Sequence, residues 1–212
     1  MNYFGHAAVA SWTASSSGAV LGAMLPDFAT MSRVRLAEPS DPAIARGIEM
    51  HHQADGAFHQ LPVVLGLMRE LDGKLAAANV ARGPRRAVAH IGVELLLDGV
   101  LVEEQSYRDA YLVALAHDPA GVQFRDEGDA ERFAMLHTRL RSYGVPDDLR
   151  QPDSIVHRLS RMLSHRPLLA PNAADLAGIR SSLAAFKPRV EVATETVLRA
   201  MRAALTGSSS AP

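Results

Sequence analysis

Groups able to hold a divalent cation recur twice in this sequence at a spacing of four residues: His51, Asp55 and His59, then His90, Glu94 and Asp98. Each step of four advances a helix by about 40° beyond a full turn, so each set stays on one side of an α-helix. Imidazole nitrogens and carboxylate oxygens are the donors that hard and borderline divalent ions take. Two helices facing each other with such sets make a metal site inside a bundle. The second set sits in AVAHIGVELLLDGVLV, where unpaired acids are costly to bury, so these acids must reach water, a cationic partner or a metal. The alternative for any one of them is a solvated helix face. His52, about 100° away from His51, fits that description or a supporting position, and His59 lies near the helix end. His6, in an apolar opening segment, and Asp27, in Leu-Pro-Asp-Phe, are further candidates. A hydrogen-bonded core histidine and a turn cap are the respective alternatives.

Composition narrows the chemistry. The 212 residues include nine histidines and no cysteine, which excludes disulfides, thiolate metal sites, iron–sulfur clusters and a cysteine nucleophile. Any metal must be held by nitrogen and oxygen. The net charge of −1 is unlike the basic balance of a general nucleic-acid binder. The sequence shows no apolar run of about 18 residues, so no membrane span is expected. The opening MNYFGHAAVASW lacks a basic leader region, and with the missing cysteines this points to the cytoplasm. Ser15-Ser16-Ser17-Gly18 lacks the strand–turn–helix setting of a nucleophile elbow. Gly18 and Gly22 match a phosphate loop only loosely and read better as a close helix–helix contact. There is no His-Glu-x-x-His pattern.

The elements that must position these groups read as helical almost throughout: Ala, Leu, Arg and Glu are frequent and period-two alternation is missing. The expected helices cover about residues 2–12, 17–24, 42–60, 62–78, 84–116, 129–143, 152–164 and 172–204, the last kinked near Pro188. The second stops before Pro26, because proline disfavours helix in the residue preceding it. Asp41-Pro42 is a helix start. The expectation is an all-α fold, a single irregular bundle of seven or eight helices over residues 1–205, with residues 206–212 as a flexible tail.

Ordered motifs add to this. The opening MNYFGHAAVA, then SGAVLGAMLPDF, then GIEMHHQAD resemble the N-terminal third of the acyl carrier protein phosphodiesterases. In that family these stretches read Met-Asn-Phe-Leu-Ala-His, Gly-Asn-Leu-x-x-Asp-Phe and Gly-x-x-Met-His-Arg-x-Ile-Asp. Glu94 to Asp98 is similar to an Asp-x-x-x-Asp-His segment, and Met162 to Pro167 to a late Met-x-x-Arg-Pro segment. The resemblance covers residues 1–60 well, 85–101 moderately and the last third thinly. It implies an all-helical, HD-domain-like fold and a metal-dependent phosphodiester hydrolase that releases 4'-phosphopantetheine from holo-acyl carrier protein. It carries His6, Asp27, His51, Asp55 and Asp98 over as metal-site positions, with Glu94 standing for an Asp. Three positions depart from the family: Ala8 and Gly99 replace histidines, and Ala23 an asparagine. One reading makes His90, one turn before Glu94, a substitute for the imidazole missing at 99; the alternative is that metal binding or the substrate has diverged.

The expected ligand set is thus His6, Asp27, His51, Asp55, His90, Glu94 and Asp98, holding one or two divalent ions (Mn, Mg, Fe or Zn). Asp55 or Glu94 would orient or deprotonate the attacking water. Asp27 belongs to the same catalytic group, and Arg166, with Arg161 second, would steady the phosphate. An acidic carrier protein calls for a locally basic surface. Arg82, Arg85 and Arg86 offer one such cluster, and Arg158, Arg161, His165 and Arg166 another; solvated helix faces are the alternative. Neither a nucleic acid nor a membrane is an expected partner, and oligomeric state is left open. Rival readings keep the metal but change the substrate to a nucleotide or another small phosphodiester, or retain carrier binding without catalysis. An iron-binding oxidative bundle would need a second Glu-x-x-His pair beside Glu49 and His52, and the helix after Pro84 has none.

Overall fold

The computed structural model describes residues 1–207, and within them the protein is all-α. Nine α-helices run in the order α1 (Tyr3–Ala10), α2 (Ser17–Ser32), α3 (Pro42–Phe58), α4 (Pro62–Ala77), α5 (Arg82–Leu101), α6 (Gln105–Ala116), α7 (Asp129–Tyr143), α8 (Pro152–Leu163) and α9 (Ala173–Gly207). Short 3-10 turns at Pro119–Gly121 and Asp147–Arg150 join them. No described helix is long and apolar enough to cross a membrane.

Three expectations change. Residues 84–116 are two helices, not one: α5 ends at Leu101 and Glu104 caps the start of α6, its side chain accepting from the Ser106 N–H, while Arg108 donates to the Val102 carbonyl at 3.0 Å. That break gives nine helices in place of eight. Helix α2 does not stop before Pro26 but continues to Ser32, ending at Arg33 in the left-handed region (φ 56°). Met24, Leu25 and Phe28 are all 0% exposed, so tertiary burial outweighs the local proline preference. Asp27 therefore lies on a helix and is not a turn cap. Lastly, α9 includes Thr206 and Gly207, part of the stretch expected as tail; the rest of that expected tail lies outside the described residues.

The described residues pack as two compact units, one of Met1, residues 57–100 and residues from 147 on, the other of residues 2–56 and 101–146. In the second, α1, α2, α3 up to Gly56, α6 and α7 surround an aromatic cluster. Tyr3 lies 5.7 Å from Phe28, and Tyr111 5.2 Å from Phe4, between ring centroids. Every residue of α1 is buried, which explains a segment with no polar face. Helices α2 and α3 approach at Gly22 and Gly47: a Cβ on Gly22 would lie 2.2 Å from the Ile44 carbonyl oxygen. This is the close helix–helix contact read from the sequence.

In the other unit α9 packs along α4 and α8, burying Leu67, Leu71, Leu75, Ile155, Leu159, Leu183 and Phe186. The start of α9 is a reciprocal cap: the Asp175 N–H donates to the Asn172 side chain, and the Asn172 N–H to the Asp175 carboxylate, at 2.9 and 3.0 Å. The other Asp175 oxygen accepts from the Ala81 N–H at 2.8 Å.

Candidate metal centre

Among the described residues, two groups of three potential ligands have their donor atoms within 4.8 Å of one another: His6, Asp27 and His51, and His59, His90 and Glu94. Each lies inside one unit.

The first group draws on three helices: α1 supplies His6, α2 Asp27, and α3 His51 with Asp55 one turn on. The glycine contact sets its geometry. His51 is one turn beyond Gly47 and faces α2 just after Gly22, where its Nδ1 lies 2.9 Å from the Ala23 carbonyl oxygen. A carbonyl only accepts, so Nδ1 carries the hydrogen and a neutral His51 keeps its lone pair on Nε2. A carbonyl partner of this kind orients metal-ligating histidines. Burial pushes the His51 pKa down, against smaller upward pulls from the Ala23 hydrogen bond and from Asp55. The ring stacks on His6 with centroids 3.8 Å apart and planes 27° apart, and His6 is 1% exposed. Two such buried rings in contact cannot both be protonated cheaply. Asp55, 40% exposed, places Oδ1 3.8 Å from His6 Nε2. His52 stands edge-on to His51 and is exposed, the outward placement its sequence position suggests.

The second group uses α5 and the residue after α3. Glu94 Oε1 lies 3.0 Å from His90 Nε2 and 3.5 Å from His59 Nε2. The two imidazoles are 4.7 Å apart between centroids. The Met1 α-amino group is 3.4 Å from the same oxygen. Burial alone would raise the Glu94 pKa, but the His90 hydrogen bond, the α-amino charge and His59 together hold it below the usual carboxylate range. Asp98, one turn further along α5, is 0% exposed.

Of the residues singled out in the sequence, His6, Asp27 and His51 group together with Asp55 beside His6, and His90 and Glu94 group with His59. His59, the end member of its stripe, joins His90 and Glu94; its signal in the sequence was the four-residue step from Asp55. The contribution of the Met1 amine and the Ala23 carbonyl is backbone chemistry, which no side-chain pattern displays. Arg166 is exposed in the turn after α8, where its backbone N–H donates to the Leu163 carbonyl at 2.9 Å. Within the basic clusters, Arg85 already pairs with Asp72 at 3.0 Å and Arg158 with Asp148 at 2.7 Å.

Gly99 has a structural cause: a Cβ there would meet the Leu149 carbonyl oxygen at 2.3 Å, so α5 has no room for an imidazole at that position. Compared with family models, curated proteins and solved structures, the chain matches none.

Proposed function

We propose that the protein is a metal-dependent phosphodiester hydrolase whose reaction centre is the His6–Asp27–His51 group with Asp55. The observation that carries this reading is the Ala23 carbonyl beside His51 Nδ1 at 2.9 Å. It presents a neutral Nε2 lone pair beside a second buried imidazole and a carboxylate, and a nitrogen–oxygen donor set of this kind suits Mn, Fe or Zn.

His6, Asp27 and His51 would hold the ion. A divalent cation held there would neutralise phosphoryl oxygens and make a bound water more acidic. Asp55, with its side chain 40% exposed, would orient the incoming water and accept its proton as the water oxygen bonds to phosphorus; the P–O bond to the leaving alcohol breaks, and the alcohol oxygen takes up a proton. Asp27 stays ionised as a ligand. The motif resemblance favours the phosphopantetheine ester of an acyl carrier protein as substrate, with a nucleotide or other small phosphodiester as the runner-up. Exposed Arg82, Arg86, Arg161 and Arg166 are the cations left to meet an acidic carrier, and the reading does not lean on Arg166 at the reacting phosphate.

The packing at Gly99 favours a second reading, a relative that binds a carrier without hydrolysing it, because one imidazole of the resembled motif has no space. One assay separates the readings. The full chain, supplied with Mn2+ or Zn2+, is offered holo-acyl carrier protein and, separately, bis(4-nitrophenyl) phosphate. Hydrolysis of either, lost by at least about a hundredfold in Asp27→Ala while the helical circular dichroism is kept, supports the hydrolase; a loss of this size is what removing a metal-held reaction centre entails. Equal metal content and equal turnover in wild type and Asp27→Ala refute it. Carrier binding with no turnover of either substrate leaves the second reading.

A further inference from the structure

The His59–His90–Glu94 group is built like a metal site in its own right. Three donors, two imidazole nitrogens and one carboxylate oxygen, converge from two chain segments on one point. A tetrahedral ion with bonds of about 2.0–2.1 Å places its ligand atoms about 3.3–3.4 Å apart. The Glu94 Oε1 separations of 3.0 Å to His90 and 3.5 Å to His59 bracket that edge. Both imidazoles bring Nε2 to the same oxygen at the separations that ligands of one ion keep.

The scaffold is rigid where it needs to be. His90 and Glu94 are one turn apart on a 20-residue helix, so their spacing is fixed by the backbone. His59 is held by a tight turn: the Gln60 N–H donates to the Ala57 carbonyl, and the Leu61 N–H to Phe58, at 3.0 and 3.2 Å. Glu94 is 11% exposed in its side chain while His90 is 50% exposed, so the anchor is buried and the mouth is open. Two nitrogens and one oxygen make the donor set of a zinc-class site, with the Met1 α-amino nitrogen 3.4 Å from the same oxygen. Calcium wants six to eight oxygens, and magnesium octahedral oxygen coordination.

We propose that His59, His90 and Glu94 bind a zinc-class divalent ion, in addition to any ion at His6, Asp27 and His51 and without a ligand from that group. Water or an anionic ligand would complete the coordination of that ion.

The test uses the full chain, stripped by a chelator and freed of any affinity tag, titrated with Zn2+ and with Co2+ as a spectroscopic stand-in. In the Asp27→Ala/His51→Ala background, about one equivalent of Zn2+ remains bound and Co2+ gives the intense visible bands of four-coordination. Adding His90→Ala or Glu94→Gln to that background weakens binding at least about tenfold, as loss of one ligand in three requires. Millimolar Mg2+ does not compete. If that background does not fold, the single variant His90→Ala is compared with wild type, and bound zinc falls by one equivalent. The proposal is overturned if the folded background variant binds no Zn2+, or if His90→Ala and Glu94→Gln bind zinc as tightly and in the same number as their parent. These readouts leave Asp27 turnover aside, so failure here and failure of the hydrolase reading are told apart.

Discussion

Substituting Gly22 by alanine tests how the first group is positioned. The added Cβ would stand 2.2 Å from the Ile44 carbonyl oxygen and 2.8 Å from the Gly47 Cα. Non-bonded carbon contacts settle near 3.5 Å, so α3 must retreat by on the order of 1 Å. Both obstacles are backbone, which no rotamer change relieves, so the overpacking cost belongs near about 3 kcal/mol. The same shift stretches the 2.9 Å contact of His51 with Ala23 past hydrogen-bonding range, costing about 1 kcal/mol more. Alanine in a helix returns about 1 kcal/mol relative to glycine. The net is a destabilisation of about 3 kcal/mol, or roughly 6–12 °C in Tm for a chain of this size.

Gly56→Ala is the control, since nothing lies within 4 Å of its Cβ position and it sits on the same helix α3. It should gain about 0.5–1 kcal/mol. Paired thermal melts by circular dichroism, with metal affinity measured on the same samples, read both effects. Gly22→Ala should melt lower and bind metal more weakly, and Gly56→Ala should do neither. A Gly22→Ala protein that melts at or above the wild-type temperature and holds metal equally well would refute the argument that this helix contact sets the His51 tautomer and position.

Two further outcomes follow from the packing. Gly99→His, which restores the histidine of the resembled motif, should lower stability and leave metal affinity no better, because its Cβ meets the Leu149 carbonyl at 2.3 Å; tighter metal binding with an unchanged melt contradicts this. His137 gives a pH dependence separate from both candidate metal groups. Burial, with Arg141 adding to it, pushes its pKa below the ordinary imidazole value against a backbone hydrogen bond to Leu115, and the ring stacks on Phe133 at 5.7 Å. Below about pH 6.5 the unfolded chain takes up this proton before the folded one does. Its contribution is therefore present above that pH and lost as pH falls through the lower folded value. In urea titrations at pH 7.5 and pH 5, His137→Phe should show a smaller drop in stability than wild type, and an equal or larger drop would count against the assignment.

Much of the helical layout was legible because helix signals are local. Asp41-Pro42 opens α3, and Asn172 caps α9 through its exchange with Asp175. The errors arise where burial competes with a local rule. Pro26 lies inside α2 because Met24, Leu25 and Phe28 are fully enclosed. The continuous apolar pattern after Pro84 hides the break after Leu101, since one run of buried residues reads alike whether or not the backbone turns within it.

The candidate ligands follow the same division. Residue type and spacing alone put His51 with Asp55 on one side of a helix, and His90 with Glu94 on another, because a helix fixes its own periodicity. Which stripe meets which partner is set by contacts between residues distant in sequence. Only the packed chain brings His6 and Asp27 to His51, joins His59 to Glu94 and closes the space beside Gly99. The tautomer of His51 belongs there too: it depends on two glycines that let a backbone carbonyl reach an imidazole, a close approach that no periodicity records.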